Sequence, residues 1–142
     1  MKQDITLIQR HRESREILWQ CSGSAAVETT AKGRIICLRM REHVLSLTIY
    51  EQAVVLKSVS QLSVTMMFRA GHKTRAHADS MLGTVPLEIY THSLRQDEDA
   101  LRIAYDVIGA GAACERFELE VRENQHESDR RRAQGGGQPG CR

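Results

Sequence analysis

Aromatic residues are scarce: one Trp, three Tyr and two Phe in 142 residues, 4% of the chain. A core built from this sequence must rest on Leu, Ile, Val and Met. No run of 18 consecutive apolar residues occurs, which excludes a membrane-spanning helix. No segment carries a long helical apolar stripe, and no internal repeat of fixed period is visible. Charge of one sign is lacking too: 20 Lys and Arg stand against 18 Asp and Glu, a net +2, so the average surface demands no polyanionic partner. The four cysteines, Cys21, Cys37, Cys114 and Cys141, form no CxxC pair, and their separations fit no zinc pattern. The opening residues, MKQDITLIQRHRE, hold no apolar stretch of signal-peptide length. The expectation is a cytoplasmic protein with reduced thiols.

What is present is alternation. In Ala100 to Glu123, Leu101, Ile103, Tyr105 and Val107 recur at every second position, with Arg102, Ala104 and Asp106 between them. That is the period of a strand with one buried face. Gly109 and Gly111 interrupt it among small residues. Phe117, Leu119 and Val121 then alternate with Arg116, Glu118, Glu120 and Arg122. Two alternating runs joined by a Gly-bearing loop read as an antiparallel hairpin.

Further short strands are expected at 3–10, 34–40, 44–51, 54–59, 62–69 and 84–94. The run 17–19 is apolar, and 25–32 is weakly patterned and favours strand or loop. Residues 72–81 are polar and aperiodic, suited to a short edge strand or a loop. Pro86 cannot donate to a ladder, which puts it at an edge, a bulge or a strand start. Many short strands with turn signals between them indicate an all-β barrel or sandwich, and closure removes exposed edges. At this length one domain is expected, burying roughly 68–70% of its unfolded surface. Its span is 1–123. Residues 124–142, with Arg130-Arg131-Arg132 and a Gly-rich end, read as a disordered tail.

From Tyr50 onward several pieces fall in a recognisable order: Tyr50-Glu51, Val55 to Val59, Phe68-Arg69-Ala70-Gly71, Gly83 with Leu87, Ile89 and Thr91, and Leu101 to Tyr105. The set resembles the YwiB-like family of small bacterial proteins of unknown function, over roughly residues 30–123. The resemblance implies an antiparallel calycin-like (lipocalin-type) β-barrel of about eight to ten strands. It brings no activity and no cofactor with it. The stretch from Gly71 to Gly83 is shorter than the family pattern, so the resemblance implies a shortened wall strand there. Family aromatics after Gly33 are replaced by Ile35, Ile36 and Leu38.

Glu51 and Arg69 fall at predicted strand ends, Glu51 in phase with apolar neighbours. Buried charge needs a partner, so the two are expected to meet at one barrel mouth, near Tyr50 or Tyr105. Arg69 then serves either as a fork for a ligand carboxylate or phosphate or in an ion pair that fixes register. Thr91 and Tyr105 sit on inward positions, lining a small cavity or bonded within a filled core. The candidate ligand-binding set is therefore Tyr50, Glu51, Arg69, Thr91 and Tyr105.

No catalytic or metal set emerges. His72 and His77 fall on opposite faces of a strand, and His11, His43, His92 and His126 show no ligand spacing. Cys37 and Cys114 read as small core residues. Ser22, Ser24 and Ser80 lack a nucleophile-elbow context, and Gly109-Ala-Gly111 is not a dinucleotide fingerprint.

The leading functional reading is a non-enzymatic barrel that binds a small apolar or amphipathic molecule. The alternative is a filled barrel that associates with a protein partner, itself included, through an exposed strand edge, expected at 72–80. Nucleic-acid contact through the arginine tail is the weakest reading, because the tail has no aromatic residue for stacking.

Overall fold

The computed structural model describes residues 2–109 and 114–124. Among the described residues there is no helix, hence none long and apolar enough to cross a membrane. The strands are β1 Lys2–His11, β2 Ile17–Thr29, β3 Gly33–Met40, β4 His43–Tyr50, β5 Val54–Val59, β6 Ser63–Phe68, β7 Lys73–Ser80, β8 Gly83–Gln96, β9 Ala100–Ile108 and β10 Cys114–Asn124. Each pairs antiparallel with its neighbour in sequence, and β1 pairs with β10, so the sheet closes into a ten-strand barrel. The turns at 12–16, 41–42, 60–62 and 81–82 gather with Gly109 at one end, the upper rim. Those at 30–32, 51–53, 69–72 and 97–99 form the lower rim.

Alternation fixes which side chains enter the core. Ile5 and Leu7, Ile36 and Leu38, Leu45 and Leu47, Val54 and Leu56, Ile103 and Tyr105, Leu119 and Val121 all point inward and are buried. Each contributes about 1.5–3 kcal/mol of burial. A one-residue slip would expose the whole set. The hairpin read from the sequence is β9 and β10, in register Tyr105↔Phe117 and Leu101↔Val121. Its loop residues 110–113, and the tail beyond Asn124, lie outside the described residues.

Two segments differ from expectation. Residues 17–29 form one continuous strand, and 73–80 form a full strand paired with both neighbours. The strand alternative of each reading holds, over 25–29 and 73–80, but β7 is eight residues long and partnered on both sides, not a short edge strand. Both strands hide their period because their inward residues are small: Cys21, Gly23 and Ala25 on β2; Thr74, Ala76 and Ala78 on β7. A Cβ on Gly23 would lie 2.8 Å from Leu38 Cδ1, so the leucine occupies space a side chain would need. Cys114 is exposed, not in the core, because it begins β10 at the rim.

Closure is uneven. β6 and β7 share three residue pairs, from Ser63↔Asp79 to Thr65↔His77. β2 and β3 share four, from Ala26↔Cys37 to Thr29↔Arg34. β1 and β10, by contrast, pair from Asp4↔Asn124 to His11↔Phe117.

Candidate functional site

The core is packed around three aromatic rings. Phe68 from β6 and Tyr105 from β9 stack with ring centroids 4.8 Å apart, and Tyr105 and Phe117 follow at 5.7 Å. Pairs at such spacings add about 0.5–1.5 kcal/mol beyond burial. Gln9 Nε2 donates to the Tyr105 hydroxyl at 3.0 Å. Burial pushes the Tyr105 phenol above its ordinary pKa, and the Gln9 hydrogen bond opposes this in part.

Thr91 is fully buried and ties the chain after β6 to β8. Its Oγ1 accepts from the Arg69 backbone N–H at 3.3 Å. Its carbonyl accepts from the Gly71 N–H at 2.7 Å, and its own N–H donates to the His72 carbonyl at 3.2 Å. Gly71 has φ 77, a conformation cheap for glycine alone. The structure thus brings Arg69 and Thr91 together through the Arg69 main chain. The Arg69 side chain is exposed. Glu51 is exposed in the 51–53 turn, and Tyr50 is 45% exposed at the end of β4. All three sit at the lower rim, yet no ion pair joins Glu51 to Arg69 among the described residues. Tyr105 lies deeper, opposite Thr91 in the β8–β9 register.

A depression of about 440 Å³ opens elsewhere, at the upper rim. Its walls are Arg75, Ala76, Pro86, Leu87, Glu88, Ile108 and Gly109. It exists because β8 outruns β9. The last β8–β9 pair is Glu88↔Ile108, so Gly83–Leu87 continue with β7 alone beside them. Pro86 stands in that one-sided stretch, as its missing donor requires. Arg75 and Glu88 are directly opposed across β7 and β8. Both are exposed, and among the described residues they make no ion pair with each other. None of the five candidates from the sequence lines this depression. Pro86 was its one legible signal; the Arg75↔Glu88 register was not readable without the pairing.

On the adjoining wall, β8 to β10, charges are taken up in ion pairs. Glu120, on the outer face of β10, is 5% exposed as a side chain. Arg10 Nη1 donates to it at 2.7 Å, and Arg122 bonds its other oxygen. Burial alone would raise its pKa, but those hydrogen bonds outweigh it and hold the carboxyl below its ordinary value. Asp106 is met by Arg12 at 3.1 Å and by His92 Nε2 at 2.9 Å. Arg34 on β3 reaches Glu123 on β10 with two bonds, one of 2.6 Å, which raises the Arg34 pKa. No group of three or more His, Cys, Asp or Glu is placed to hold a metal ion among the described residues.

No protein-family model matches the chain, and no curated protein matches it. Among solved structures, the crystal structure of YwiB protein from Bacillus subtilis is similar. The two superpose with a TM-score of 0.61 at 13% identity, over 87% of this chain and 94% of that one. The fold is thus a YwiB-like closed barrel. The likeness at this identity speaks to the fold alone.

Proposed function

We propose that the protein binds a small amphipathic molecule, without catalysis, in the upper-rim depression. The observation that carries this reading is the depression itself: about 440 Å³, within the roughly 300–1,000 Å³ range of ligand sites. Pro86, Leu87 and Ile108 supply apolar contact, while Arg75 and Glu88 offer one charge of each sign. An exposed pair of this kind is worth about 0–1 kcal/mol closed on itself, so leaving both groups open to a ligand costs little. In this reading Thr91 and Tyr105 act through packing, and Tyr50, Glu51 and Arg69 stay outside the ligand's reach. The free thiols of Cys21, Cys37 and Cys114 suit the reducing cytoplasm.

Native mass spectrometry of the full chain with hexanoate, hexylamine and 1-hexanol tests it. One retained equivalent is expected, lost in Ile108→Trp, whose ring fills the depression. No retained compound, or retention undiminished in that variant, overturns the reading.

A further inference from the structure

Two strands overrun a neighbour by more than three residues near the upper rim and leave main chain unpaired on one side. On β8 the one-sided stretch is Gly83–Leu87, and Pro86 blunts it by removing a donor. On β2 the one-sided stretch is longer. β3 pairs with β2 only from Ala26 to Thr29, whereas β1 follows it from Ala26 back to Ile17. Among the described residues, Ile17–Ala25 therefore have a ladder partner in β1 on one side and none on the other, although Leu38 of β3 still packs against Gly23. That run, ILWQCSGSA, has no proline and no charge. Ile17 and Leu18 are 49% and 46% exposed, and the outward Gln20, Ser22 and Ser24 are exposed and polar. Natural sheets ordinarily blunt such an edge with Lys, Pro, a bulge or a covering loop. On the longer edge the one such device is the register shift that leaves Leu18 unpaired with β1; from Trp19 to Ser22 it carries neither Lys nor Pro.

We propose that Ile17–Ala25 is a strand-addition interface, and that its occupant is β2 of a second copy, paired antiparallel. An edge of this kind offers a row of free N–H and C=O groups, which a second strand satisfies in full. Pairing between like strands about a two-fold axis closes on itself and leaves neither edge open. Neutrality selects the same run as partner, because like charges set opposite one another destabilise a strand pair and this run has none. A charged strand from another protein would find no counter-charge along it. The resulting dimer joins two barrels through a continuous sheet, with the 440 Å³ depression of each on a different wall.

Light scattering on the full chain tests the pairing, beside the double variant Gln20→Lys, Ser22→Lys and its counterpart Gln20→Glu, Ser22→Glu. Both positions are exposed, and matching circular dichroism and melting curves confirm that each variant folds. The wild type is expected at twice the 16.0 kDa of one chain, falling toward the monomer on dilution. Either charged variant alone weakens association roughly a hundredfold, and mixing the two restores it as a heterodimer. A wild type monomeric at every concentration overturns the proposal. So does a dimer that persists in the lysine variant, or one that mixing does not restore.

Discussion

Thr91 holds three backbone groups of the 69–72 turn at once: the Arg69 and Gly71 N–H groups donate to it, and the His72 carbonyl accepts from it. Thr91→Val keeps the shape and deletes only the acceptor for the Arg69 N–H. Leaving this partly buried donor unmade costs up to about 1 kcal/mol. The urea midpoint should fall with the slope unchanged; an unaltered midpoint would show that the hydroxyl does not hold this turn. Glu120 links the fold to pH. Its folded carboxyl sits below its ordinary value, so its ionised form favours the native state. That contribution is present above the unfolded carboxylate value of about 4.3 and is lost as pH falls through the lower folded value. Glu120→Gln should therefore melt lower than the wild type at neutral pH, with the gap narrowing below about pH 4. A gap independent of pH would remove the carboxylate from the account.

Strands with large inward residues were legible in the sequence, and those with small ones were not. Leu45, Leu47 and Ile49 announce β4, and Leu101, Ile103 and Tyr105 announce β9. β7 reads KTRAHADS, with Thr74, Ala76 and Ala78 inward, because Phe68 and Tyr105 already fill the space before it. β2 and β7 stand five places apart in the ring of ten. The two small-residue strands thus face each other, and bulky side chains from the other strands pack between them. The pairing lengths give a measurable consequence. Amides of Met66–Phe68 on β6 and Lys73–Arg75 on β7 lie beyond the last shared pair, Thr65↔His77. Hydrogen exchange there should outpace that of Leu119 and Val121, which are paired on both sides. Equal protection across these strands would mean that the wall is continuous where the register says it parts.

At the scale of the whole molecule, a closed ring packed around Phe68, Tyr105 and Phe117 is the reason the proposed ligand site is put at the rim. The candidate set Tyr50, Glu51, Arg69, Thr91 and Tyr105 came from strand phase and a family resemblance. Phase says which face a side chain takes, but not where a neighbouring strand ends. It therefore could not reveal that β9 stops at Ile108 while β8 runs on, and that difference makes the depression. Nor could it show that Thr91 meets Arg69 through the main chain. Amide chemical-shift mapping of the full chain, titrated with hexanoate or hexylamine, tests the central claim most directly. Shifts confined to Arg75, Ala76, Leu87, Glu88, Ile108 and Gly109 are the expected result. Shifts centred on Phe68, Thr91 and Tyr105 would contradict it, because they would place the ligand among the buried core side chains and not at the rim.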